Sequence, residues 1–138
     1  MTEIFSKSAP DPVGPYPHAK RAGGFLFLSG VGPRIAGNNE IPGNLYNKAG
    51  ALTGYSIELQ CHSVFKNVKA ILTSSGLEWE DLVDITVFLT NMKNDFQIFN
   101  RIYAEYFDKH KPCRTTVEVG SLPTAIAIEL KCIAQIKD

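Results

Sequence analysis

The sequence predicts an α+β two-layer domain, one mixed sheet with two helices on one of its faces. Three observations carry this. Two stretches hold apolar residues at helical spacing. Four short stretches read as strands, three of them by alternation of side-chain character. Helices and strands are interleaved so that two helices can cover only one face of a single sheet. The chain has 138 residues, which is one domain over 1–138 and too short for two.

Phe25 to Ser29 (FLFLS) is an apolar run after the Gly23-Gly24 turn and reads as the first clear strand. Gly30 to Gly54 is dense in Gly, Pro and Asn and lacks periodicity, so it reads as a long loop, a length usually kept for function. Ile57 to Ser75 reads as a helix, with Val64, Phe65, Val68, Ile71 and Leu72 on one face and Gly76 as its stop. Asp81 to Thr90 reads as a strand on the alternation of Val83, Ile85, Val87 and Leu89. A second helix begins at Asn94, with Gln97 completing a capping-box-like start. Its apolar stripe is Phe96, Phe99, Tyr103, Tyr106 and Phe107, and Pro112 prevents its continuation.

Arg114 to Val119 alternates next: Arg114, Thr116 and Glu118 on one face, Thr115, Val117 and Val119 on the other. Gly120 to Pro123 is a turn. Ile126 to Ile136 is the clearest strand, with Ile126, Ile128, Leu130, Cys132, Ala134 and Ile136 facing one way. Ala127, Glu129, Lys131, Ile133 and Gln135 face the other. The sheet face without helices must meet solvent or another subunit. Val87 and Ile133 argue against a wholly solvated face, so a homo-oligomer packed through that face is expected.

Composition narrows the function classes. Apolar residues make up 44% and charged residues 20%, enough for a core. Fourteen basic residues balance fourteen acidic ones, so no nucleic-acid partner is expected. No apolar run reaches membrane-spanning length and no signal peptide is seen, so no membrane partner is expected. Cys61, Cys113 and Cys132 are scattered and odd in number, which suggests reduced thiols and a cytoplasmic protein. His18, His62 and His110 lack ligand spacing, so no metal is expected.

The chemistry-bearing residues lie on the last two strands and in the N-terminal arm. Arg114 suits bidentate capture of a carboxylate, Thr116 shares its face, and Glu129 could position or deprotonate a water, so an Arg, a hydroxyl and a carboxylate could converge near one sheet surface. An Arg–Glu pair serving structure alone would have the same spacing. Tyr16, on the Gly14-Pro15 turn, could donate to a ligand or staple the arm. Ser29-Gly30 ends a strand where a backbone can approach a ligand closely.

Several motifs occur together and in order: Val13-Gly14-Pro15-Tyr16, Phe27-Leu28-Ser29-Gly30, Asn67 to Leu72, Val87-Phe88-Leu89, Asn94-Asp95-Phe96, Tyr103 to Phe107, Pro112 to Val119, Leu122-Pro123 and Ile128-Glu129-Leu130. Across nearly the whole chain this set resembles the Rid (YjgF) family. The resemblance implies a chorismate-mutase-like fold, a homotrimer, and inter-subunit clefts for small carboxylates. It also implies cofactor-free hydrolysis of enamines and imines to 2-oxo acids and ammonia. By position, Arg114 would clamp the substrate carboxylate and Glu129 would orient water. Tyr16, Ser29, Gly30 and Asn100 would line the cleft.

Two departures concern the substrate. Thr116 stands where many members have a cysteine, and Gly32 to Tyr55 is longer than usual. Thr115-Thr116 resembles the 2-aminomuconate deaminase branch, and Arg34 in the long loop could meet a second carboxylate or simply be solvated. A non-catalytic trimeric carboxylate-binding protein is the alternative outside enzymology.

Overall fold

The computed structural model describes residues 2–137. Its strands are β1 (Thr2–Ile4), β2 (Ala19–Ala22), β3 (Phe25–Leu28), β4 (Leu45–Tyr46), β5 (Leu52–Gly54), β6 (Leu82–Leu89), β7 (Cys113–Glu118) and β8 (Ile128–Gln135). The helices are α1 (Ile57–Ser74) and α2 (Met92–Phe107), with a single 3₁₀ turn at Trp79–Asp81. Six strands form one sheet in the order β1-β2-β3-β8-β6-β7, and β4-β5 form a separate hairpin. β6 and β7 run parallel because α2 connects them; the other pairs are antiparallel. The mixed sheet with two helices on one face is therefore as the sequence predicts.

Each helix is closed by its own sequence. The Ser56 hydroxyl accepts the Leu59 N–H at 3.1 Å to cap α1, and Gly76 follows at φ 76°. α2 starts two residues before the expected Asn94. The Asn91 side chain accepts the Asn94 N–H at 3.2 Å, and the Glu118 carboxylate accepts the Met92 N–H at 2.8 Å. The cap is thus supplied partly by a residue of β7, which no local pattern reveals.

Two strand expectations change. Gly30 to Gly54 is not all loop, since it holds the β4-β5 hairpin. The Asn47 side chain accepts the N–H groups of Ala49 and Ala51, and Gly50 takes φ 82°. Strands of two and three residues are too short to show a period. In β6, Leu82 pairs with Ala134 but Asp84 pairs with Ile133, so Val83 is an extra residue turned outward. Leu82, Ile85, Val87 and Leu89 are the buried set, and Val83 is exposed. Val87 therefore belongs to the core. The uncovered face is instead formed by Phe25 and Phe27, both about 40% exposed, with half-buried Phe88 and Ile133. Two adjacent exposed phenylalanines leave that face as apolar as expected.

The core lies between the sheet and α1/α2. Phe65 is its aromatic centre, with Trp79, Tyr103, Tyr106 and Phe107 at ring-centroid distances of 4.4–6.2 Å. Two buried amides of α1 hold the long connection. The Gln60 side chain accepts the Ala127 N–H at 2.8 Å and donates to Asn44 at 3.1 Å; Asn67 donates to the Gly32 and Arg34 carbonyls. Burying amides is tolerable because their polar atoms are bonded.

Truncating Phe65 to alanine should cost about 3–5 kcal/mol in chemical denaturation, whereas Val83→Ala should stay within about 0.5 kcal/mol. Equal losses would mean that Val83 is not the outward residue of the bulge.

Candidate functional site

β3 and β8 pair regularly as far as Phe27↔Ile133, and pairing resumes at Val31↔Leu130. Between these points β3 spends three residues (Leu28, Ser29, Gly30) against two in β8 (Lys131, Cys132). This bulge interrupts the β3–β8 ladder. The Ser29 N–H donates to the His18 carbonyl at 3.0 Å and its hydroxyl to the Pro17 carbonyl at 2.7 Å. Ser29 is thus a structural tie to the N-terminal arm.

Gly30 comes to rest against Glu129. A Cβ at Gly30 would lie 2.7 Å from Glu129 Oε2 and 3.0 Å from its carboxyl carbon, so only glycine leaves the carboxylate in place. Glu129 is half-buried, and burial raises its carboxyl above the usual 4.5. A narrow cavity of about 40 Å³ between the N-terminal arm and the long connection is walled by Tyr16, His18, Ser29, Gly30, Arg34 and Ile71; it shares Gly30 with this contact, but Glu129 is not part of its lining. Tyr16 sits on a tight turn, its N–H donating to the Gly14 carbonyl at 2.9 Å and its hydroxyl oxygen accepting the Val13 N–H at 3.3 Å. His18 locks the arm: Nδ1 accepts the Ser6 N–H at 2.9 Å and Nε2 donates to the Pro10 carbonyl at 2.7 Å. No sequence pattern marked that role.

A second group gathers around Arg114. Its guanidinium lies 4.6 Å from the Tyr103 ring centroid, 5.3 Å from Phe99 and 5.9 Å from Phe96. Its Nη1 donates to Asn100 Oδ1 at 2.9 Å. The aromatic stripe of α2, expected only as core, is also the seat of this cation. Thr116 Oγ1 and Tyr103 Oη are buried without a hydrogen-bond partner, so polar groups beside Arg114 are left unused. Burial pushes the Tyr103 hydroxyl up to about 12, with Arg114 opposing.

The two groups do not meet within one chain. Arg114 pairs with Ile85 and Thr116 with Val87, both core residues, so Arg114 and Thr116 point to the helix-covered side. Glu129 pairs with Phe88 and points to the uncovered side. β6 separates their strands. The expected convergence of Arg114, Thr116 and Glu129 on one sheet surface is corrected for the single chain, and with it any intrachain Arg114–Glu129 pair. Arg34 is likewise engaged. Nη1 donates to Asn39 Oδ1 at 2.9 Å and Nη2 to the Asp11 carbonyl at 2.8 Å, so it braces the loop against the arm.

Among the described residues no group of three or more His, Cys, Asp and Glu could hold a metal, and no helix is long and apolar enough to cross a membrane. The three cysteines are free; Cys61 and Cys132 are buried, and Cys113 is exposed, not buried as a small apolar side chain would be.

A family model described as Endoribonuclease L-PSP matches residues 6–136. A RutC family protein of Pyrococcus horikoshii is 41% identical over 131 residues, covering 95% of this chain and 94% of that one. The chain belongs to the Rid (YjgF) family. Among solved structures, this Rid protein is similar to a Rid family protein of Yersinia pestis, with a TM-score of 0.81 at 34% identity over 98% of each chain. It is also similar to E. coli TdcF, solved with serine bound, with a TM-score of 0.85 at 31% identity over 99% of this chain and 100% of that one.

Two variants test the geometry around Gly30 and Arg114. Gly30→Ala should displace Glu129 while moving the thermal midpoint by only a few degrees; its crystal structure and melting curve would show both, and an unmoved carboxylate would refute the contact. Tyr103→Leu should unseat the Arg114 guanidinium, which a crystal structure would show, because it removes a cation–π contact worth about 0.5–1 kcal/mol, whereas Tyr103→Phe should leave it in place.

Proposed function

We propose that this Rid protein hydrolyses 2-imino acids and their enamine tautomers to 2-oxo acids and ammonia, in clefts between the subunits of a homotrimer. One observation carries the reading. Arg114 is a fixed guanidinium with no carboxylate within ion-pair distance among the described residues, where the only ion pair is Lys137–Asp81. A planar fork held in this way is suited to a substrate carboxylate. The serine bound to E. coli TdcF, a similar chain, carries such a group.

The placement of Glu129 supports the inter-subunit part. Arg114 and Glu129 face opposite sides of the sheet, so they can serve one substrate only if each comes from a different copy. The apolar face bearing Phe25 and Phe27 gives those copies a surface to share. In the proposed reaction Arg114 and Asn100 of one copy hold the carboxylate, with Thr116 beside them. Glu129 of another takes a proton from water as its oxygen adds to the C=N carbon. Glu129 returns that proton to the nitrogen, which gives a tetrahedral carbinolamine; the carbinolamine hydroxyl proton then passes to the nitrogen, the C–N bond breaks as the C=O bond forms, and ammonia leaves. Tyr16 and the Ser29-Gly30 backbone wall the cleft. Orientation of water against a fixed carbon supplies most of the acceleration.

Thr116 and the β4-β5 hairpin fit the 2-aminomuconate branch as a narrower version of the same chemistry. A binder without turnover is favoured only by the ligand seen in TdcF. The family model carries a ribonuclease name, but a net charge of zero gives this chain no general attraction for an RNA backbone.

The test is competition with semicarbazide for imines made by an amino-acid oxidase. Wild type should suppress semicarbazone formation, and Arg114→Ala should lose about 10²-fold or more in kcat/KM. Suppression by neither would leave the binding protein as the surviving reading. Mixing Arg114→Ala with Glu129→Ala copies, unfolded and refolded together, should restore activity to about one site in four by random pairing. No restoration would place both residues' action within one copy.

The pH dependence has a definite sign. Glu129 must be ionised to take a proton, and its pKa is raised, so kcat/KM should fall on the acid side with a midpoint above 4.5. A raised carboxyl also favours folding below its unfolded value, and that contribution is lost as pH rises through the folded value. Glu129→Gln should therefore remove both the acid limb and this loss of stability, as pH-rate profiles and denaturation would show.

A further inference from the structure

Lys131 is a half-buried cation on the uncovered sheet face, two residues after Glu129 on the same side of β8. Carboxylates flank it. Glu129 lies on its own strand. Asp84 is diagonal to it on β6, since Thr86 pairs with Lys131 and Asp84 with Ile133. Among the described residues Lys131 forms an ion pair with neither. Its ammonium instead reaches the other way, to the Leu28 carbonyl at the start of the β3 bulge. The bulge runs from Leu28 to Gly30, and Gly30 touches Glu129. The ammonium and the Glu129 carboxylate therefore mark the two ends of one short segment, with Cα atoms at most about 7 Å apart.

A half-buried ammonium bonded to one carbonyl keeps donors and charge to spare, and such a charge gains most from an anion held in the same sheltered place. The other cation one would assign to a second acidic group, Arg34, has both terminal nitrogens engaged in the loop and the arm. Other charges on this side are Lys20 on β2, opposite Phe27, Glu3 on β1, opposite Lys20, and Asp84; Glu3 is the carboxylate that faces Lys20.

We infer that Lys131 is a specificity-determining residue that receives a second acidic group of the substrate, so that the preferred imine is a dicarboxylate. The inference rests on the imine-hydrolase reading. Arg114 of one copy holds the carboxylate next to the C=N carbon, Glu129 of another holds the water, and Lys131 beside Glu129 meets the far carboxylate. Lys131 takes no part in proton transfer.

The experiment compares two six-carbon substrates, the imines made by an amino-acid oxidase from 2-aminoadipate and from norleucine, which differ in the terminal carboxylate. Wild type should prefer the 2-aminoadipate imine. Lys131→Met should lower kcat/KM for it about tenfold, mainly through KM, and leave the norleucine imine within about twofold, since one charge-assisted contact is lost. Lys131→Arg should recover most of the preference. Equal losses on both substrates, no loss on either, or a wild-type preference for norleucine overturns the inference while the hydrolase reading stands. Dissociation of Lys131→Met in sedimentation also overturns it, because the lysine then serves assembly. If wild type hydrolyses neither imine, the parent reading falls and this one with it.

Discussion

Everything at the site depends on β8 being the central strand and being read on both faces. Ile128, Leu130, Cys132 and Ala134 are fully or almost fully buried under the helices and fix its register against β6 and β3. A slip of one residue would bring Glu129, Lys131 and Ile133 into the core, at the cost of burying two charges without partners. The apolar alternation therefore does more than make a sheet. It obliges Glu129 and Lys131 to share the uncovered face, and it brings Glu129 to the place where the β3 bulge deposits Gly30. The long side chain of Lys131 reaches the same bulge from the next position on that face.

On β7 the usual rule runs backwards. Its more polar face, Arg114-Thr116-Glu118, turns toward the helices, and Thr115 and Val117 turn away. Two features of α2 make this possible. Its aromatic stripe offers ring faces to a guanidinium, and its first N–H groups need an acceptor, which Glu118 supplies. β7 is an edge strand, so Arg114 can lie between aromatic rings and solvent without full burial.

That reversal explains what the sequence shows and what it hides. The two helices, the alternation of the last strand and the one-sided sheet are legible because burial imposes a period on each. Glu129 and Arg114 are legible as residue types. Their facing is not, because alternation divides a strand into two faces without saying which one the helices cover. Polar content suggests solvent for Arg114, and only contacts with a distant helix decide otherwise. The extra residue in β6, the bulge at Leu28-Gly30 and the short hairpin are invisible for a related reason: each is a departure from periodicity, and a departure has no period. Tyr103, Lys131 and His18 escape notice because their partners are an arginine eleven positions away, a backbone carbonyl and the N-terminal arm.

The bulge at Leu28-Gly30 also sets stability against placement. Removing one of its three residues would let β3 and β8 pair without interruption and would make a better sheet by every local criterion. The same repair would draw Gly30 away from Glu129, release the Leu28 carbonyl from Lys131 and pull Ser29 off the arm. The most regular version of this sheet is thus one with no site in it. Directed evolution for thermal stability alone would be expected to wear away this irregularity first.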